Sequence, residues 1–373
     1  MIKRLLMIAA LISMLLCLCA GARAQTPYSD LSAACRDVRA YVRDFHQSLT
    51  FTLSPQAIGG RTNAEIRDIL TDVLEGYIDY SIELSSEDAN LRVTVYGSMR
   101  PALKLLRAWE TGDQSALTAD EIRTLNIALA LAQECRSKAG SSLEIERAVY
   151  DVVCRDITYT TQDPLPSFCT EEYIRLNSSV GALLDGETTC LGYSEVFFLI
   201  GKLAGLDVDM QYGFPGGGAG GKHAWNTVRI GEKVYTVDTC WGDSYGDIFE
   251  PATPDYRFFN TGDDLMPANR CAHPEAAIAQ VSAQTDLAHT AFGLAGGGKT
   301  CTDLDEAIDY ALSCRSAGQS YAHVFIPGQS IPLETVDNTS VKRIKAEGIA
   351  TTWGRMAYNF AGGTYIIYRW VLE

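Results

Sequence analysis

The sequence predicts an α+β fold in which a helix that begins at Cys190 packs on an antiparallel sheet. Residues 196–206 are strongly apolar and predict the body of this helix. Residues 223–228 and 233–238 alternate with the period of two that is typical of strands. The short turn at 230–233 joins them, so the two strands are predicted to form a hairpin. The helix and the hairpin together define the predicted core.

The rest of the chain divides by pattern and composition around this core. We predict a targeting segment at 1–24, an N-terminal helical α+β region at 25–139, the core at 140–277, a Gly- and Ala-rich linker at 278–298 and a small C-terminal α/β domain at 299–373. Residues 1–24 end in the small-x-small cleavage site Ala22-Arg23-Ala24, and two basic residues precede their apolar run. This run is too short for a membrane span, and bulky leucines precede Cys17 and Cys19, where a lipid anchor needs a small residue. We therefore expect cleavage after Ala24 and a secreted or extracytoplasmic, soluble protein.

Hydrophobic periodicity predicts the elements on either side of the core. In the N-terminal region it predicts helices at 30–49, 62–76, 100–109 and 118–135 and strands at 50–53 and 91–96. A helix at 144–154 and a strand at 157–159 precede the cysteine helix. The C-terminal domain has a helix capped by Thr302, a strand at 322–326, a helix at 336–346 and a strand at 363–372.

The charge of the chain excludes one class of partner. The formal net charge is −15, and removal of Lys3, Arg4 and Arg23 with the signal peptide takes away three positive charges and leaves −18. Such a surface repels nucleic acid and anionic lipid, and no basic cluster overrides it. Neither Cys-x-x-Cys nor His-Glu-x-x-His spacing occurs, so the sequence predicts no metal site and no cofactor.

Nine of the eleven cysteines follow the predicted signal peptide. Without Cys190 eight remain, an even number that is typical of a protein from an oxidising compartment. Cys301 and Cys314 flank a predicted helix and would lie roughly 20 Å apart, too far for a bridge. The disulfides that we predict are Cys35 with Cys135, Cys154 with Cys169 and Cys240 with Cys271.

Cys190, His223 and Asp238 are the types of residue that a thiol nucleophile, its base and the orienting group of that base require. Thr188 or Thr189 can cap the helix through a hydroxyl, and the unpaired amides of the first turn then favour a thiolate at Cys190. The hairpin sets His223 and Asp238 side by side on one face. Taken singly, a buried cysteine or a histidine in a hairpin is an ordinary structural residue. The combination predicts a thiol-dependent site.

Three blocks of sequence occur here in a distinctive order. They are Gly-x-x-x-Cys-x-Gly-Tyr at 186–193, His-Ala-Trp-Asn at 223–226 and Tyr-x-Val-Asp-x-x-Trp-x-Asp at 235–243. In this order they resemble the transglutaminase-like cysteine enzymes, in particular the exported bacterial ones, over residues 140–275. The resemblance implies a papain/transglutaminase-like core in which Cys190 is the nucleophile, His223 the general base and acid, and Asp238 the orienting carboxylate. It also makes 256–260 a further strand of the sheet.

The activity that this resemblance implies is acyl transfer through a thioester, on amide bonds of proteins or cell-wall peptides. Water as the acceptor would make the protein a cysteine peptidase or amidase, and an amine would make it a transglutaminase; the motifs leave both open. The alternative from another class is a catalytically silent module that binds proteins or peptides at the cell surface. Cys240 departs from the family pattern, which has a small hydroxyl residue or proline there, and a second thiol leaves room for a disulfide or redox control.

Two glycine-rich stretches approach the phosphate-binding loop. Residues 216–222 lead into His223 instead of a hydroxyl residue, and a strand follows where the loop needs a helix. Residues 293–300 match the motif literally, but the segment before them is a poor strand. We interpret the first as a flexible flap beside His223 and the second as part of the linker.

Overall fold

The computed structural model describes residues 26–162, 170–214, 221–243, 254–264, 273–277, 281–294, 298–349, 353–360 and 362–370. The predicted signal peptide and most of the predicted flap lie outside these ranges. Within them the fold is α+β, and six of the eight strand pairs are antiparallel. None of the helices described is both long and apolar enough to cross a membrane.

The N-terminal region combines helices with a three-stranded sheet. Its elements are α1 (Leu31–Arg43), β1 (Ser48–Leu53), α2 (Pro55–Ile58), α3 (Asn63–Leu74), β2 (Ile78–Glu87), β3 (Asn90–Met99), α4 (Pro101–Thr111) and α5 (Ala119–Ser137), and the strand order is β1-β3-β2. Capping boxes start α3 and α5, where Thr62 and Thr118 pair with Glu65 and Glu121. The predicted first helix was too long because Phe45 has a φ of 66° and ends it.

The core places a helix against an antiparallel sheet, as predicted. Its elements are α6 (Ser142–Asp156), β4 (Thr158–Tyr159), α7 (Glu171–Leu176), α8 (Ser179–Asp185), β5 (Glu187–Thr188), α9 (Cys190–Leu203), β6 (Asp207–Gly213), β7 (His223–Ile230), β8 (Lys233–Val237) and α10 (Thr239–Gly242). Helix α9 is buried along almost its whole length and packs on β6 and β7 of the sheet β6-β7-β8. Gly231, with a φ of 60°, makes the tight turn of the hairpin β7-β8.

The predicted strand at 256–260 is wrong. Tyr256–Phe258 form a 3₁₀ turn, and this segment meets the sheet only through an isolated bridge between Thr236 and Thr261. Aromatic packing explains the difference, because Tyr256 and Phe259 lie 5.8 and 5.2 Å from the ring of Tyr150 between centroids. These contacts turn the segment toward α6 instead of extending it along the sheet.

The C-terminal part forms a four-stranded sheet of order β11-β12-β10-β9. Its elements are α11 (Ala291–Leu294), β9 (Lys299–Thr300), α12 (Leu304–Ser316), β10 (Tyr321–Pro327), α13 (Leu333–Ala346), β11 (Trp353–Phe360) and β12 (Gly363–Trp370). The N-cap of α12 is Asp303 and not Thr302, whose amide and hydroxyl bind the side chain of Glu306 instead. One apolar cluster is continuous from the N-terminal helices through α9 to Phe325 and Tyr365, and a second lies between this sheet and α12 and α13.

None of the three predicted disulfides is present among the described residues, and two of the predicted partners, Cys169 and Cys271, lie outside those residues. Cys135, Cys154 and Cys240 are free thiols, so none of them is bonded to its predicted partner. Cys154 instead donates a hydrogen bond of 3.4 Å to the Thr239 carbonyl. Cys301 and Cys314 do not pair with each other, as their spacing predicted. An even number of cysteines does not specify pairing, because buried thiols also serve as small apolar residues of a core.

Glu146 on α6 predicts a pH dependence of stability. Its side chain is fully buried, one oxygen accepts a hydrogen bond of 2.9 Å from Asn260, and the other has no hydrogen-bond partner among the described residues. Burial raises the pKa of Glu146 from 4.5 to about 8. The folded state therefore keeps a proton that the unfolded chain has lost, so stability falls as pH rises from about 4.5 to about 8.

Glu146→Gln is expected to remove this dependence, because an amide does not titrate. Urea unfolding between pH 5 and 8 should show the wild type losing on the order of a few kcal/mol more than the variant over this range. Parallel stability profiles for the two proteins would contradict a neutral, buried carboxyl at this position.

Candidate active site

Cys190 is the first residue of α9 and is half-buried. The prediction that a threonine hydroxyl caps this helix is wrong. Thr189 is the N-cap residue, but its hydroxyl donates to Asn177 Oδ1 at 2.6 Å, and the Thr188 hydroxyl donates to the Leu176 carbonyl at 2.6 Å. Both hydroxyls therefore hold in place the strand that leads into α9, and neither accepts a hydrogen bond from the main-chain amides of the first turn of α9.

Gly192 permits Thr188 to lie close against the first turn of α9. A Cβ atom at Gly192 would lie 1.8 Å from the Thr188 hydroxyl oxygen and 2.8 Å from Thr188 Cβ. Thr188 is fully buried and bound to the Leu176 carbonyl, so it has little freedom to move away. The glycine two positions after the cysteine is thus required for packing at the start of α9.

Gly192→Ala is expected to lower the free energy of unfolding by about 1–3 kcal/mol, the cost of overpacking a buried site. Urea denaturation measures this change. Gly221→Ala is the matched control, because a Cβ atom there meets no atom of the described residues within 4 Å. Equal stability of the two variants would contradict the close approach of Thr188.

The hairpin brings His223 and Asp238 together, as the sequence predicted. His223 opens β7 and Asp238 directly follows β8, and the His223 Nε2 atom lies 2.8 Å from Asp238 Oδ2. The other carboxylate oxygen accepts a hydrogen bond of 3.0 Å from the amide of Trp241. Both oxygens of this fully buried carboxylate therefore have defined partners, and the plane of the carboxylate is fixed.

The electrostatics of the site favour a charged His223. Burial of the ring opposes protonation, but the charge of Asp238 and hydrogen bonds with Asp238 and with the Cys190 side chain outweigh it and raise the pKa of His223 to about 9. Because Asp238 binds Nε2, Nδ1 is the ring nitrogen that remains for Cys190. The three predicted residues thus form one connected chain of side chains.

Two residues that sequence reasoning did not single out, Asn226 and Trp241, hold these three side chains in place. The indole of Trp241 stacks on the His223 ring at 4.8 Å, with an interplanar angle of 23°. Asn226 donates hydrogen bonds to the carbonyls of Ser194 on α9 and Asp209 on β6, at 3.1 and 3.2 Å. Two of the three blocks of the sequence motif contained the signal, because Asn226 lies in the second block and Trp241 in the third.

A buried ion pair anchors α9 on its far side. Arg100 and Glu195 are 3% and 0% exposed at their side chains, and Arg100 Nε lies 2.7 Å from Glu195 Oε1. The other Glu195 oxygen accepts from the amide of Ser179 at 2.8 Å. The N-terminal region, the start of α8 and the cysteine helix are thereby joined through one guanidinium.

No group of three or more His, Cys, Asp and Glu side chains in the described ranges is arranged to hold a metal ion. What the site offers is a half-exposed thiol, a buried imidazole and a buried carboxylate in hydrogen-bonded sequence. This set of groups can perform nucleophilic chemistry with proton transfer.

A comparison with solved structures finds several that are similar to part of this chain. A TGase shares 14% sequence identity with this chain at a TM-score of 0.30, over 47% of this chain and 46% of that one. A proposed cysteine protease from Cytophaga hutchinsonii shares 12% identity at a TM-score of 0.26, over 43% and 62% of the two chains. This chain is similar to transglutaminase-like proteins. They include the periplasmic domain of TgpA from Pseudomonas aeruginosa bound to ethylmercury, with 14% identity and a TM-score of 0.27 over 54% and 75% of the two chains.

The match covers only part of the first two proteins, about half of the TGase chain and about three-fifths of the Cytophaga chain. No protein-family model matches this sequence, and no curated protein matches it.

Proposed function

We propose that this protein is an exported, thiol-dependent enzyme that transfers acyl groups from amide bonds of proteins or peptides. The observation that carries this proposal is the connected set Cys190, His223 and Asp238, in which a buried carboxylate holds the imidazole beside the thiol. A structural cysteine needs neither partner. The proposed role of each residue follows from its contacts.

In the proposed reaction the Cys190 sulfur attacks the amide carbonyl carbon, and a C–S bond forms. An imidazolium beside a cysteine favours its thiolate, the nucleophilic form. The His223 proton then passes from Nδ1 to the leaving amine, so that the C–N bond breaks and a thioester remains. Asp238 keeps the ring oriented and stabilises its charged form. The main-chain amide of Cys190, at the first turn of α9, is a candidate donor to the oxyanion.

The acceptor decides the class of enzyme. Water would hydrolyse the thioester and give a peptidase or amidase, and a primary amine would give a cross-linked or amine-tagged product. His223 as the neutral base after the first half-reaction can deprotonate either acceptor. Protein and cell-wall peptides both carry the amide that this chemistry requires.

The test is to incubate the purified protein with dimethylcasein and a dansylated primary amine, and separately with a glutamine-containing peptide and the same amine. Fluorescence in the casein and a peptide mass gain equal to the amine minus ammonia indicate transfer. A gain of about 1 Da indicates side-chain deamidation, and cleaved fragments indicate peptidase activity. Cys190→Ala should reduce every product to the level of the buffer blank.

A catalytically silent binding module would give none of these products. It would also leave the alkylation of Cys190 by iodoacetamide as slow as that of a free peptide thiol. Slow alkylation together with no product would overturn the proposal, whereas fast alkylation with no product would point to an untested amide substrate.

A further inference from the structure

Cys240 is a second thiol beside the proposed site, and the proposed reaction gives it no role. It lies in α10 between Thr239 and Trp241, two residues after Asp238. Like Cys190, it is half-buried and not part of a disulfide. The family pattern has a hydroxyl residue or proline at this position, so the thiol is a feature of this chain.

The structure brings the two thiols to the same imidazole. Helix α10, which carries Cys240, packs against α9, which begins at Cys190. Cys190 hydrogen-bonds the His223 ring, and the residue that follows Cys240, Trp241, stacks on that ring at 4.8 Å. The side chain of Tyr159 is within electrostatic range of both sulfurs. The two cysteines therefore border one small volume around His223.

The environments of the thiols differ in a way that sets an order of reaction. Burial raises the pKa of Cys240, and the nearby charges of Asp238 and Cys190 raise it further. Cys240 therefore remains a protonated thiol at neutral pH. Cys190 has a helix N-terminus and His223 beside it, which are the surroundings of a reactive cysteine. Because oxidants attack the thiolate, the first oxidation falls on Cys190.

A third thiol, Cys154, also lies near Cys240. It is 4% exposed, its sulfur donates to the Thr239 carbonyl at 3.4 Å, and burial raises its pKa. The charge of Cys154 raises the pKa of Cys240 less than the charge of Cys190 does. Cys154 is therefore a structural thiol and provides an internal comparison.

We propose that Cys190 and Cys240 form a reversible disulfide when a hydroperoxide oxidises Cys190. This proposal rests on the reactive Cys190 of the proposed function, but it does not depend on which amide substrate the protein uses. The disulfide would switch the nucleophile off and protect it from irreversible oxidation.

The disulfide between Cys190 and Cys240 would form in two steps. In the first, the Cys190 thiolate attacks one oxygen of hydrogen peroxide, an S–O bond forms, the O–O bond breaks and hydroxide leaves, taking a proton from His223 to become water. In the second, the Cys240 sulfur attacks the Cys190 sulfenic acid, an S–S bond forms and the S–O bond breaks. Hydroxide leaves with the Cys240 proton as a second water. The two thiols lose two electrons in total, and the peroxide gains them.

The experiment treats the purified full chain with a small excess of hydrogen peroxide and maps its peptides by mass spectrometry without reduction. We expect a linked Cys190–Cys240 peptide, a loss of iodoacetamide labelling at Cys190, and recovery of at least four-fifths of this labelling after dithiothreitol. Because the readout is iodoacetamide labelling of Cys190, the experiment does not require a known acyl substrate.

Cys240→Ser and Cys154→Ser are the paired variants. In Cys240→Ser we expect Cys190 to accumulate as a sulfenic acid, which dimedone traps. After prolonged exposure to hydrogen peroxide, the iodoacetamide labelling of Cys190 that dithiothreitol restores should be at least fivefold lower than in the wild type. Cys154→Ser should behave like the wild type. Direct conversion of wild-type Cys190 to the sulfinic acid, as fast as in Cys240→Ser and without a linked peptide, would overturn the proposal. So would a Cys154–Cys240 peptide as the main product. Absence of any reaction at Cys190 would instead overturn the proposed function.

Discussion

Replacement of Asp238 by asparagine is expected to lower the rate of acyl transfer by roughly 10³- to 10⁴-fold, the loss typical of a triad whose carboxylate becomes an amide. The structure gives the reason. One carboxylate oxygen accepts from the Trp241 amide, so the asparagine carbonyl must stay there and its NH₂ group must face His223 Nε2. The ring then carries its proton on Nδ1, toward Cys190, and cannot accept the proton of the thiol.

The same substitution should lower the pKa of His223. The negative charge of Asp238 outweighs the burial of the ring and holds this pKa at about 9, so burial dominates once the charge is gone. An NMR titration of the His223 ring measures the change. Asp207→Asn is the matched control, because Asp207 is 56% exposed at the first residue of β6 and its loss should change neither rate nor pKa. An unchanged pKa of His223 in Asp238→Asn would contradict the assigned role of Asp238.

Replacement of Arg100 by methionine is expected to reduce the free energy of unfolding by about 3–5 kcal/mol. The guanidinium donates to Glu195 at 2.7 Å, to Asp79 at 2.9 Å and to the Asn177 carbonyl. Without it the carboxylate of Glu195 is left in an apolar helix with no countercharge. Burial already raises the pKa of Glu195, and Arg100 is the main group that opposes this. The carboxyl of the variant therefore binds its proton more tightly than in the wild type, and the loss of stability should grow as pH rises above the ordinary pKa of glutamate.

Two further variants test this interpretation by urea unfolding. Glu195→Gln in the Arg100→Met background removes the stranded charge and should recover part of the lost stability. Arg92→Met removes an ion pair with Glu87 whose side chains are about half exposed, and it should change stability by less than about 1 kcal/mol. If Arg100→Met lowered the free energy of unfolding no more than Arg92→Met does, the buried ion pair would not be the anchor of α9.

The central architecture of the molecule could be predicted from the sequence because it depends on local patterns. The alternation at 223–228 and 233–238, with Gly231 in the turn, specifies a hairpin, and the pairing of its strands brings His223 and Asp238 to the same end of it. The apolar run after Cys190 likewise specifies a buried helix. These features need no knowledge of distant contacts.

The features that the sequence did not predict depend on distant contacts. Strand β2 is an exception: Ile78, Tyr80, Ile82 and Leu84 alternate with polar residues and pack on the core, so its period-two pattern was present in the sequence and was overlooked. The threonines before Cys190 bind groups at 176 and 177 instead of capping α9, and Tyr150 turns the segment at 256–258 into a 3₁₀ helix. Cysteine pairing failed for the same reason, since counting thiols says nothing about their separation in the fold.

The most direct measurement of the central claim is the rate at which iodoacetamide alkylates Cys190 at pH 7. We predict that wild-type Cys190 reacts at least tenfold faster than N-acetylcysteine, and that His223→Ala removes this advantage while the fold, measured by circular dichroism, is retained. A Cys190 that reacts no faster than N-acetylcysteine, with or without His223, would contradict the proposal that these residues form an activated thiol site.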